Sequence, residues 1–227
     1  MALFWLIHIK DILLDWTIPL IIIPSTDFIL CKLFGTLSRW FQLHSAINII
    51  IVYIIYDDVV KLIYNPIDNI AVMNSKLDFY FIVWLHIYHV FISKLTLMDY
   101  FHHILFIGGG CIPVILLYNI NLVKLCSFTC CGLPGAIEYF TLALVKHKKI
   151  ESLTQKKICT YIYNYGRYPF IIYSASLTYI AYKQEIIKNY NPWLIVYVNI
   201  LLLFNGSFYN KLTIENYMEH KLRIKNN

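Results

Sequence analysis

Seven stretches of this chain are apolar over lengths that a water-soluble domain of 227 residues could not cover: Ile12–Cys31, Leu43–Tyr56, Leu77–Ser93, Phe101–Tyr118, Val123–Val145, Tyr161–Tyr182 and Pro192–Phe208. A bilayer-spanning helix needs roughly 20 mostly apolar residues. Hydrophobic residues make up 59% of the chain and charged ones 14%, with a mean hydropathy of +0.60. Soluble domains sit near about 25% charged, so the excess apolar surface must meet something other than water. These features predict an all-α integral membrane bundle of about seven transmembrane helices, or six if the first segment, which carries Asp15 and Asp27, does not span. One multi-pass domain over residues 1–227 accounts for the length, and 209–227 reads as a basic cytoplasmic tail.

The net charge of +6 does not point to nucleic acid, because the basic residues are scattered between apolar runs rather than gathered on one face. They read as topology signals. Lys146, Lys148, Lys149, Lys156 and Lys157 fill one loop and Lys211, Lys221, Arg223 and Lys225 fill the tail; cytoplasmic loops are the ones enriched in such residues. Alternation then places Lys32, Arg39 and Lys94 on the same side, and Lys10, Lys61, Lys76, Lys124, Lys183 and Lys188 opposite. Twelve against six favours an exterior N-terminus and a cytoplasmic C-terminus. Lys10 and Asp11 break the first apolar stretch, so no cleavable signal is expected. The sequon Asn205-Gly206-Ser207 falls near a cytoplasmic helix end and is expected to stay unglycosylated. Arg223 and Lys225, fifth and third from the end, are similar to a dilysine-type retrieval signal and imply the endoplasmic reticulum.

Ionisable residues inside spans are costly and mark function by default. His44, His86, His89, His102 and His103 fall in or at the edge of spans, whereas His8, His147 and His220 do not. Their alternative reading is a helix-to-helix hydrogen bond. Glu138 lies about two turns from the cytoplasmic end of the fifth span and Arg167 about two turns into the sixth, as a structural ion pair or as functional groups, and Asp27 reaches a similar depth. Adjacent His102 and His103 point about 100° apart on a helix, so one can face a cavity while the other holds a neighbour. Gly108, Gly109, Gly110 and Pro113 interrupt the fourth span, and Gly132 and Pro134 the fifth, which places both at the bundle interior. The six cysteines, Cys31, Cys111, Cys126, Cys130, Cys131 and Cys159, lack the spacing of a zinc site and read as small buried hydrophobes.

The segment LTLMDYFHHILFIGGG, Leu95–Gly110, resembles the Asp-x-x-His-His element of TLC-domain proteins, the membrane family that includes ceramide synthases. SRWFQLHSAIN, Ser38–Asn48, is similar to that family's early Leu-His-Ser pattern. GLPGAIEYF, Gly132–Phe140, and YGRYPF, Tyr165–Phe170, resemble its later Glu-containing helix and the Arg that heads the next. The resemblance implies a TLC-like helical barrel, with a core of about 38–208, around an acyl-chain cavity. His102, His103 and Glu138 would then stand at the reaction or binding centre, and His44, His86, His89, Asp99 and Arg167 would line it. Its implied partners are membrane lipids or acyl chains, with acyl-CoA as a substrate if the protein is an enzyme, and no cofactor or metal.

One departure matters. Ceramide synthases carry a His-Asp element and a further Asp downstream of the histidine pair, whereas no Asp follows Asp99 here. Lipid handling without catalysis is therefore favoured over acyl transfer. WLHIYHVF, Trp84–Phe91, is similar to the histidine box of fatty-acid elongases, but Val90 stands where the third histidine belongs. A channel or a purely structural membrane protein is the remaining class.

Overall fold

The computed structural model describes residues 2–71 and 75–226, with side chains from residue 15 onward. The side chains of His8, Lys10 and Asp11 lie outside the described residues. The chain is all-helical. Its long helical stretches are α1 (Ala2–Phe34), α2 (Arg39–Tyr64), α3 (Leu77–Ile92), α4 (Leu97–Leu117), α5 (Val123–Lys146), α6 (152–183) and α7 (Pro192–Asn226), with a single turn at Pro66–Asn69. Among the described residues four helices are long and apolar enough to cross a membrane: the Asp15–Phe34 part of α1, then α4, α5 and α7. Helix α3 is apolar but has only 16 residues.

Several boundaries differ from expectation. Helix α2 begins at Arg39 and runs to Tyr64, because its Asp57, Asp58 and Lys61 are tolerated in the solvated last turns where hydropathy had marked an end. Helix α6 begins at Ser152, since its first turns are polar and invisible to an apolar scan. The tail is helical to Asn226, and its Lys211–Glu215 and Glu219–Arg223 pairs have the i,i+4 spacing that supports an exposed helix.

Helix α2 is the axis of the bundle. Leu43, Ile47, Ile51 and Ile55 recur every four residues and are completely buried, while Ile49, Tyr53 and Tyr56 face outward. The outward face of the bundle carries many large apolar side chains, Ile21, Phe28, Ile104, Leu116 and Ile200 among them, a surface compatible with a membrane. Close approach of α5 to α2 depends on small residues. A Cβ on Gly135 would lie 2.5 Å from Asn48 Nδ2, and one on Gly132 would lie 3.1 Å from Val52.

The glycine-proline interruptions do not break α4 and α5. They widen them. His103–Cys111, Phe128–Gly132 and Tyr163–Arg167 are π-helical, and each closes with an i→i−5 bond: Ile112 N–H to Ile107 O, Leu133 N–H to Phe128 O, and Tyr168 N–H to Tyr163 O. A proline, Pro113, Pro134 or Pro169, follows each segment by two residues. Proline removes an i→i−4 donor and clashes with the carbonyl four residues back, and a wider turn relieves both.

The helix ends sort into two sets. At one end Lys124 donates to Asp78 (2.5 Å) and to the Ser75 carbonyl, Ser75 reaches Asp15, and Tyr118 stacks on Tyr190. At the other, Arg39 pairs with Asp27, Ser38 meets His147, and Lys156 donates to Asn216. The in-span histidines and Glu138 belong to the second end.

Candidate functional site

Five histidines from three helices converge, as the sequence suggested. His44 comes from α2, His86 and His89 from one face of α3, and His102 and His103 from the start of α4. His86 Nε2 lies 3.0 Å from His102 Nε2, and His89 Nδ1 lies 3.4 Å from His103 Nε2. Trp40 stacks on His89 with ring centres 3.5 Å apart, and Tyr139 stacks on His44 at 3.8 Å. Together with Glu138, Tyr163, Arg167 and Tyr209 they surround a polar chamber of about 170 Å³.

Hydrogen-bond bookkeeping distinguishes the two adjacent histidines. His86 Nδ1 faces the Ile82 carbonyl at 2.7 Å, which only accepts, so Nδ1 carries the proton. His86 Nε2 must then accept from His102 Nε2–H, and His102 Nδ1 must accept from the Tyr209 hydroxyl, 3.0 Å away. Every nitrogen of His102 is used in this relay, which ties α7 through α4 to α3. His103 has only its longer contact to His89 and is the member of the pair with capacity left for a ligand. At His44, Asn48 Nδ2 can only donate, so Nδ1 accepts at 2.9 Å and Nε2–H remains as a donor.

Of the acidic groups, Asp99 and Glu138 line the chamber and Asp27 does not. Arg39 holds Asp27 at 2.5–3.1 Å and the Tyr88 hydroxyl at 2.8 Å, because its position on α1 turns it toward α2 and α3. Asp99 lies at the rim and caps α4, accepting from the Thr96 N–H and hydroxyl, both at 2.7 Å. Glu138 and Arg167 are not an ion pair. The Tyr163 hydroxyl donates to Glu138, while Arg167 donates to the Thr129 carbonyl at 3.2 Å and to Asn205 Oδ1 at 2.5 Å. Residues 138 and 167 sit on helices whose rotation sends the two side chains to different partners. Among the described residues no carboxylate is hydrogen-bonded to any of the five histidines, and no group of three His, Cys, Asp or Glu is arranged to hold a metal ion.

A second cavity, about 100 Å³ and almost wholly apolar, abuts the chamber. Phe106, Ile107, Val114, Val198, Leu201 and Leu202 line it, and His102, Cys130 and Cys131 belong to both cavities. The arrangement therefore sets a polar pocket directly beside a greasy slot between α4, α5 and α7. Cysteines read as inert filling are the wall between the two.

Sequence reasoning missed Trp40, Tyr139, Tyr163, Tyr209 and Asn205. Trp40 and Tyr139 adjoin residues already singled out, and Tyr163 stands one turn before Arg167, so helical spacing carried a signal for them. Tyr209 lay one residue past the expected end of the last span, and only the continuation of α7 brings it in. No family model, curated protein or solved structure matches the chain.

Proposed function

We propose that this chain is a TLC-like multi-pass membrane protein of the endoplasmic reticulum, with about seven membrane-embedded helices and a cytoplasmic C-terminus. It takes a membrane lipid or acyl chain into its interior to bind or sense it. The observation that carries this reading is that the polar histidine chamber and the apolar slot lie side by side and share His102, Cys130 and Cys131 in their walls. An amphipathic single-chain lipid matches both halves: its head group meets His103, Arg167 and Glu138, and its tail displaces nothing that needs water.

Binding is favoured over acyl transfer because a general base needs a partner that orients it and tunes its basicity. Asp99 is engaged by Thr96 and Glu138 by Tyr163, so neither is hydrogen-bonded to a histidine. The test is mass spectrometry of lipid retained by the protein purified in mild detergent, beside Leu201→Phe, which fills the slot, and His103→Ala. Wild type should retain a defined lipid that Leu201→Phe loses while its melting temperature holds. Absence of any retained lipid from wild type, or equal retention by the slot-filled variant, overturns the reading. Acyl transfer from acyl-CoA to an amine or lipid, lost in His103→Ala, would replace binding with catalysis.

A further inference from the structure

Arg167 is the most costly residue of the chamber and the least explained. It is 4% exposed, and a guanidinium stays protonated in any protein environment. Its Nε donates to the Thr129 carbonyl and its Nη2 to Asn205 Oδ1, both neutral acceptors. Nη1 is buried and has no hydrogen-bond partner. The rings of Tyr163 and Tyr209 lie 4.7 and 5.3 Å from the guanidinium carbon, so cation–π contact supplies part of the missing stabilisation and no counter-charge. Among the described residues no carboxylate stands within ion-pair distance: Glu138 lies beyond it and is taken by the Tyr163 hydroxyl. An uncompensated buried cation is expensive, and a protein that keeps one at a cavity wall has a use for it.

We infer that the lipid taken into this chamber is anionic at its head, and that its oxyanion, a carboxylate or a phosphate monoester, pairs with the Arg167 guanidinium at the chamber wall. This inference rests on the lipid-binding reading above and names the ligand's charge class. The chamber suits a compact oxyanion. Tyr209 and His102 fix the approach from α7 and α4, while the His44 Nε2–H and the free face of His103 supply further hydrogen-bonding capacity. The tail of the same molecule runs past Cys130 and Cys131 into the apolar slot. Neutral glycerides fit the slot equally well but leave the guanidinium unpaired.

The experiment compares three single-chain probes of the same tail, oleate, oleoyl lysophosphatidate and monoolein, binding to the purified full chain in neutral detergent. A charged hydrogen bond in a buried site predicts that wild type binds one of the two anions at least about tenfold more tightly than monoolein. Whichever anion is preferred separates the carboxylate from the phosphate source. Arg167→Gln should erase that preference. Asn205→Asp guards against misfolding of the arginine variant: it keeps the shape and the bond to Nη2 but supplies an internal counter-charge, so it should also erase the preference with a melting temperature no lower than wild type. Equal affinity for all three probes overturns the inference and leaves lipid binding standing. A preference that survives both substitutions overturns it too. If no probe binds, the lipid-binding reading itself falls.

Discussion

Replacing His102 and His103 one at a time by leucine should separate the stability of this bundle from its ligand chemistry. His102 makes two hydrogen bonds of 3.0 Å, to His86 and Tyr209, joining three helices, whereas His103 makes one contact of 3.4 Å. In membranes such interhelical bonds are worth about 0.6 kcal/mol each and at most about 1.7, since the unfolded chain in lipid also finds partners. His102→Leu should therefore cost about 1.2 kcal/mol, with a ceiling of about 3.4. His103→Leu should cost less than about 0.6 kcal/mol, because 3.4 Å is at the long end for a hydrogen bond. Detergent-driven unfolding can be followed through tryptophan emission, for which Trp40, stacked 3.5 Å from the His89 ring, is a reporter beside the site. His86→Leu completes a double-mutant cycle with His102→Leu and should show coupling of about 0.6 kcal/mol. The reasoning is refuted if His103→Leu destabilises as much as His102→Leu, or if the His86–His102 cycle is additive.

Other perturbations probe the frame. Asp78 and Lys124 are essentially fully buried and 2.5 Å apart, so Lys124→Met alone should cost about 3–5 kcal/mol, and Asp78→Leu with Lys124→Met should recover most of it in the same unfolding assay. Gly135→Ala puts a Cβ 2.5 Å from Asn48 Nδ2 and should cost about 1–3 kcal/mol and weaken lipid retention through the Asn48–His44 bond; unchanged melting would contradict the close helix approach. Orientation is read by membrane-impermeant maleimide on intact microsomes: Glu151→Cys should be labelled from the cytoplasmic side and Asp68→Cys only after permeabilisation, and the reverse pattern inverts the topology. The Asn205 sequon does not serve for this, because Asn205 is buried against Arg167 and would stay unglycosylated in either orientation.

The chain's linear order already determined that it is all-helical, that it carries apolar helices of membrane-crossing length, and that five histidines crowd one end. These properties follow from composition and from apolar runs, which are additive along the sequence and survive an error of a residue or two at a boundary. The partners of each polar group did not follow. A helix turns about 100° per residue, so the direction of Glu138 depends on the rotation of α5, and that rotation is set by Gly132 and Gly135 lying against Val52 and Asn48. The widened turns before Pro113, Pro134 and Pro169 shift the register again: the two apparent breaks become the segments that carry His103 and Cys130, and a third, which the apolar pattern did not mark, carries Arg167. Packing alone therefore decided that Asp27 pairs with Arg39 and Tyr88, and that His102 is spent in a relay while His103 is not. It also placed Tyr209, beyond the last apolar run, against His102, because α7 continues past the hydropathic boundary as one rigid rod.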